Sequence, residues 1–460
     1  MGFFKSFFKA LTNPATLIAA VTMAIFAPVA FVGGTFLASV AVYAAANAAL
    51  SALAPKPQMP DMSGYGAFVG EATNRTQMIK QPAQPRRVVY GQIRVSGVLS
   101  YISTTNDDKT LHMIISMATH QIQDFESFQI DGEEVTLVRN EVTNAKFRKG
   151  QTASGSALVE LRPHSGSDTQ AADVYLTQRV TEWTTDHRLR GIAYVYAQLE
   201  FDQDAFPQGL PNISATIKGA KVFDPRDSST AFSDNAALCI RDFLTNTRYG
   251  LGCSADEIDD TSFIAAANTC DENITLAAGG PTTGTEKRYT CNGSFETNKS
   301  PKQILEDMLS SCAGILTYTN GKFRLLVGEF RSASLSLDEN DFHGPVTIDV
   351  KQSMGESYNT VKGVYSPEAN GYVATDYPPV TSSTFVTEDN GETRIFDYDL
   401  PFTTSTATAQ RLAKIALFRN RQQVVLQGQL SMKGFNLAIG DSVQVTFDRF
   451  GFTNKIFEVA

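Results

Sequence analysis

The chain has 460 residues, too many for one hydrophobic core, so about three domains are expected. With 48 acidic against 39 basic side chains the net charge is −9, which argues against a dedicated nucleic-acid-binding surface and suits a conduit that repels DNA better than a binder. Five cysteines without a Cys-x-x-Cys pair indicate neither a zinc site nor a dense disulfide framework.

Taken in chain order, the first feature is the run from Ala10 to Pro55, which carries no charged side chain. Its apolar positions include Leu17, Phe26, Phe31, Phe36, Val42 and Leu50. Roughly 20 apolar residues suffice to cross a bilayer, and the run is too long for the core of a signal peptide. Asn13-Pro14 and Thr35 are start signals for two helical pieces, separated at Pro28 and Gly33-Gly34. Residues 1–60 are therefore expected as an apolar helical segment that could span a membrane or plug a channel. The prolines between Pro55 and Pro85 make 61–85 an extended linker.

From Arg87 the pattern turns to β. Strands are expected over 87–95, 97–102, 111–118, 157–161, 191–201 and 213–223. A hairpin is expected at Asp131-Gly132, because this pair tolerates positive φ. Residues 86–228 thus read as a first β-barrel with an inserted hairpin. After Asp224-Pro225 the period becomes helical: a helix follows Ser233 or Asp234, a capping box links Ser254 to Glu257, and Ser300 with Pro301 starts a helix burying Ile304, Leu305, Met308, Leu309 and Cys312. Asn320-Gly321 turns a second hairpin, so 229–345 is an α+β domain. Residues 346–460 return to strands around one helix near Thr406–Arg421, whose inward face is Leu412, Ile415 and Ala416. They are expected as a second barrel. The fold class is mainly β with an α+β insert.

Chemistry is hard to find. His112, His120, His164, His187 and His343 are dispersed, and none sits in a metal-ligand spacing. Neither a nucleophile elbow nor a phosphate loop occurs. No cofactor, metal or catalytic residue is expected. Cys270 and Cys291 flank a Gly- and Thr-rich loop, which leaves a bridge between them open, while most of the cysteines are expected as small core residues. Trp183 is expected in the core.

Four stretches carry a family resemblance. They are Pro85-Arg-Arg-Val-Val-Tyr-Gly91; Leu189-Arg-Gly-Ile-Ala-Tyr-Val-Tyr196 with Phe206-Pro-Gln-Gly-Leu-Pro-Asn212 and Lys221-Val-Phe-Asp-Pro-Arg226; Arg288-Tyr-Thr-Cys-Asn-Gly293 with the Pro301 helix and the Tyr318–Leu325 hairpin; and Tyr358-Asn-Thr-Val-Lys-Gly-Val-Tyr365 with Thr375-Asp-Tyr-Pro-Pro379. In this order they resemble the tail-tip hub and tip attachment proteins of long-tailed, lambda-type bacteriophages and gene transfer agents. The resemblance implies a homotrimer at the virion tail tip, with its paired barrels continuing the tail tube. It also implies contacts with tail tube or distal tail proteins, other tail-tip proteins and a tape-measure protein, transient passage of DNA without specific binding, and no catalysis in this region. Lambda-type members continue into receptor-binding modules, which are expected either on another protein or beyond residue 460. Two other functions are weighed against this one: a membrane-anchored or pore-forming protein using residues 10–55, and a tail-associated cell-wall hydrolase.

Overall fold

The computed structural model describes residues 75–80, 84–276, 284–350 and 355–459. The charge-free run, with Leu17, Phe26, Phe31, Phe36, Val42 and Leu50, lies outside the described residues. The described chain forms two compact units, one of 75–80, 84–88 and 94–219, the other of 89–93 and the chain from 220 onward.

In the first unit the Asp131-Gly132 pair turns at φ 52° and 85°. It joins Ile122–Ile130 to Glu133–Val135, with Phe128 opposite Val135. The unit is organised on the strand Ala193–Glu200, which pairs antiparallel with Thr110–Ala118 on one side and Val159–His164 on the other. Leu199 stands opposite both Leu111 and Val159. Because successive side chains alternate faces, Tyr194 and Tyr196 share one face. They pack with Ile114, Leu176, Val180 and Trp183, so Trp183 is a core residue. Val195, Ala197 and Leu199 take the other face and are also buried, which explains the almost unbroken apolar run. The short helix Val174–Arg179 covers the tyrosine face and is capped by Asp173, whose side chain accepts from the Leu176 N–H.

The expected barrel is corrected here. The sheet has six strands in an open order, from Val98–Thr105 at one edge to Leu137–Val138 at the other. The two edge strands do not pair with each other, so the sheet is not closed.

In the second unit the capping signals are met with one change of residue. Asn235, rather than Ser233 or Asp234, caps Ala236–Thr245 by accepting from the N–H groups of Ala237 and Leu238. Ser300 caps Pro301–Ser310, with Ile304, Met308 and Cys312 buried and Leu305 and Leu309 only half-buried. The Ser254 box closes a single 3-10 turn, Ala255–Glu257, and the longer helix Asp260–Asp271 follows it. Thr406–Asn420 buries Leu412, Ala413 and Leu417, while Ile415 and Ala416 are half-buried, so the inward face is rotated from the expected one.

Residues 229–345 and 346–460, expected as separate domains, fall in this one unit. Three links explain it. Leu335–Leu337 runs parallel to Ser442–Phe447. Arg324 reaches Asp441 at 2.9 Å. Glu286 accepts from Ser405, Thr408 and Arg411. Residue 345 itself lies inside the strand Phe342–Asp349, which pairs with Val425–Leu430. This pair and the three-stranded sheet of Leu335–Leu337, Ser442–Phe447 and Phe452–Glu458 share a core of Leu337, Val443, Val445 and Phe447, with Phe342, Leu426, Leu430 and Phe457 against it. Neither sheet is closed on itself.

Candidate docking surface

A reactive site would show polar groups converging on an open space. In the first unit they converge on one another. His164 Nε2 lies 2.8 Å from Asp173 Oδ2, and its ring stacks on Tyr194 with centroids 4.4 Å apart. Burial opposes ionisation of Asp173, but bonds from His164 and from the Leu176 N–H outweigh it and hold the carboxyl below its ordinary range. The carboxylate therefore fixes a helix end and a ring. Arg162 pairs with Glu160, which also takes Arg179 at 3.1 Å, and the Arg162 guanidinium lies over the Tyr175 ring.

His112 is fully buried, with Nδ1 2.9 Å from the Tyr196 hydroxyl and Nε2 2.8 Å from Thr105 Oγ1. Burial, helped by the nearby Arg179 charge, pushes its pKa down to about 4. Below pH 6.5 the unfolded chain binds a proton that the folded chain refuses. The histidine's contribution is thus complete above pH 6.5 and is lost as pH falls towards 4. Chemical denaturation of the first unit across this window is expected to show His112→Gln flattening the pH dependence by roughly one proton. An unchanged slope would show that the ring titrates normally.

In the second unit Cys239, Cys270, Cys291 and Cys312 are buried free thiols. The bridge left open between Cys270 and Cys291 is not formed. The Cys239 thiol, on the helix Ala236–Thr245, instead donates to Ser233 O at 3.6 Å. Burial pushes the Cys270 thiol up to about 12, which keeps it protonated and inert. Among the described residues, no group of three or more His, Cys, Asp or Glu side chains is placed to hold a metal. No helix among them is long and apolar enough to cross a membrane.

What remains unfilled is apolar and external. Phe330 and Phe435 are each 84% exposed, Met432 78% and Val350 65%. All four lie in the second unit. Met432 and Phe435 are on the 3-10 turn Met432–Asn436, which directly follows Val425–Leu430, and Ile439 is 48% exposed just beyond it. Single exposed apolar residues are ordinary, but aromatic side chains left almost wholly in water are the usual anchors of protein interfaces. Sequence reasoning missed this group because its members stand in loops and a 3-10 turn, where no hydrophobic period reports which side chains face water.

The bare aromatic side chains of the second unit are of the kind that anchors protein interfaces. No family model matches the chain. It is related in sequence to hub and tip proteins of phage tails. It is 21% identical over 294 residues to the baseplate hub protein pb3 of Escherichia phage T5, and 25% identical over 288 residues to the tip attachment protein J of Escherichia phage SECphi27. These matches cover 60% and 52% of this chain but only 30% and 23% of those proteins. In fold it is similar to a chain of a native gene transfer agent virion, with TM-score 0.55 and 14% identity over 91% of this chain and 92% of that one. The resemblance read from the four stretches is thus met by named members of the tail-tip hub family.

Proposed function

We propose that the chain is a structural virion protein of the tail tip: a homotrimeric hub that continues the tail tube, binds tail tube or distal tail proteins, other tail-tip proteins and a tape-measure protein, and lets DNA pass without binding it specifically. The observation that carries this reading is the sequence relationship to a baseplate hub protein and a tip attachment protein over more than half of the chain. The exposed aromatic residues of the second unit and the acidic balance of the whole chain support it. The hub acts by shape and by large surfaces, with no catalysis.

Mass photometry of the recombinant full chain is expected to find a species of about 150 kDa, three times 50.0 kDa. Its interfaces, seen by electron microscopy, should each bury well above about 1,000 Å². A chain that stays monomeric at tens of micromolar would sink the proposal.

The charge-free run 10–55 favours one addition, that this stretch touches the host membrane during ejection or closes the channel before it. Removing residues 1–60 is expected to abolish binding of the chain to lipid vesicles while leaving the trimer intact. Undiminished vesicle binding would refute the membrane role.

A further inference from the structure

The sequence holds four Asn-Gly pairs, Asn292-Gly293, Asn320-Gly321, Asn370-Gly371 and Asn390-Gly391. Such a pair can react with itself: the backbone nitrogen of the glycine attacks the asparagine Cγ, and glycine, lacking a side chain, leaves the approach open. The fold decides which pair does so. The carboxamide must not be held by hydrogen bonds, the glycine N–H must not be held either, and the backbone must open locally to bring the two together.

Three of the pairs are restrained. Asn292 is buried; its Oδ1 accepts from the Gln92 N–H at 2.8 Å and its Nδ2 donates to Thr404 Oγ1 at 3.3 Å. Asn370 donates from Nδ2 to Thr375 Oγ1 at 2.8 Å, and the Gly371 N–H is held by Glu368 O at 2.9 Å. Gly391 donates its N–H to Val386 O at 2.8 Å, just past the helix Ser383–Glu388. Asn320-Gly321 differs in each respect. It is the two-residue tip of the hairpin that joins Ile315–Thr319 to Lys322–Leu326, with Thr319 opposite Lys322. Both residues are exposed, at φ 54° and 78°, and a carbon added at Gly321 would meet nothing within 4 Å. Among the described residues, neither the Asn320 carboxamide nor the Gly321 N–H has a hydrogen-bond partner.

We propose that Asn320 is a site of spontaneous deamidation in the folded protein. The Gly321 nitrogen gives up its proton and bonds to Asn320 Cγ; the Cγ–Nδ2 bond breaks and ammonia leaves, closing a cyclic succinimide. Water then opens the ring at either carbonyl to give aspartate or isoaspartate, so the sum is one water taken up and one ammonia released, with nothing oxidised or reduced. The two products act differently on the hairpin. Aspartate tolerates positive φ as asparagine does, and the turn survives with one more negative charge. Isoaspartate carries the main chain through Cβ and so adds a carbon to a loop whose length sets the register of both strands. That register brings Phe323 O to the Asp259 N–H at 2.9 Å and Arg324 to Asp441 at 2.9 Å, and the isoaspartate form loosens both. The hairpin alone sets the site, whatever the chain assembles with.

The test is peptide mapping by mass spectrometry on the full chain aged at mildly alkaline pH, folded and in guanidinium chloride. The tryptic peptide Gln303–Lys322 has Asn320 as its one asparagine and gains one mass unit on conversion. In the folded chain Asn320 is expected to convert about fivefold faster than Asn390, where one hydrogen bond must first open, and about tenfold or more faster than Asn292 and Asn370, where two must. In denaturant the four rates should draw together. Asn320→Asp should abolish the gain in this peptide, and fragmentation by electron transfer should find isoaspartate at 320 in the aged wild type. A folded chain in which another pair converts as fast as Asn320, or a lead of Asn320 that is equally large in denaturant, overturns the proposal and leaves the hub reading untouched.

Discussion

Gly91→Ala is expected to destabilise the second unit by about 3 to 5 kcal/mol, the sum of a left-handed backbone, an overpacked contact and a lost hydrogen bond. Gly91 sits at φ 61°, where a side chain is strained in any surroundings. A Cβ there would stand 2.2 Å from the Cys291 carbonyl oxygen and 2.2 Å from Asn292 Oδ1. The first of these is backbone and cannot swing aside. The second accepts the Gln92 N–H at 2.8 Å, so pushing Asn292 away breaks the bond that holds the next residue. Urea denaturation of the second unit measures the effect against Gly391→Ala, a position at φ 83° with nothing within 4 Å of the added carbon. The control isolates the backbone strain, about 1 to 2 kcal/mol. Equal midpoints for the two variants would show that the close approach of 91 to 291 and 292 is not the constraint.

Both glycine and asparagine here belong to stretches singled out by resemblance, which shows what the sequence could and could not reveal. Hairpins and caps were legible because they are local: Asp131-Gly132 and Ser300-Pro301 specify their geometry within four residues. The cap of Ala236–Thr245 was misplaced by one or two residues because Ser233, Asp234 and Asn235 all have the right chemistry. Asn235 wins through a second bond, its Nδ2 donating to Ala267 O at 2.9 Å, and that contact is remote in sequence. Barrel closure was not legible, since strand pattern fixes which face is buried and leaves open how many strands join an edge. The pairing that links the chain on either side of residue 345 was not legible for the same reason. Parallel pairing of Leu335–Leu337 with Ser442–Phe447 bridges about a hundred residues, and nothing in either strand announces its partner. Legibility of the docking surface was lowest, because Phe330 stands in a loop and Met432 and Phe435 on a 3-10 turn, where no period in the sequence reports exposure.

Asn359→Ala is the second large effect, expected to cost about 3 kcal/mol, from four bonds broken and buried partners left short. Asn359 is the second residue of the stretch Tyr358-Asn-Thr-Val-Lys-Gly-Val-Tyr365 and is fully buried. Its Nδ2 donates to Asp389 Oδ2 at 2.7 Å and to Glu392 O at 2.8 Å, while Oδ1 accepts from the Arg394 N–H at 3.0 Å and from Thr360 Oγ1 at 3.3 Å. The amide thus ties three segments, and only a side chain with two donors on one side and an acceptor on the other can do so. Asp389 also pairs with Arg421, whose Nε donates to Tyr358 O at 3.0 Å, so the helix end and the strand start are joined through the same carboxylate. The Arg421 bond holds the Asp389 carboxyl below its ordinary range against burial, and the asparagine adds to it. Asn359→Asp should therefore be worse than alanine above about pH 5, since it sets a second carboxylate against the first, and should recover as pH falls and the new acid is protonated. Thermal melts of wild type, Asn359→Ala and Asn359→Asp at pH 4.5 and 8 separate the two effects. An aspartate variant that melts like alanine at both pH values would mean that the asparagine acts by packing alone, with its donors to Asp389 and Glu392 contributing nothing.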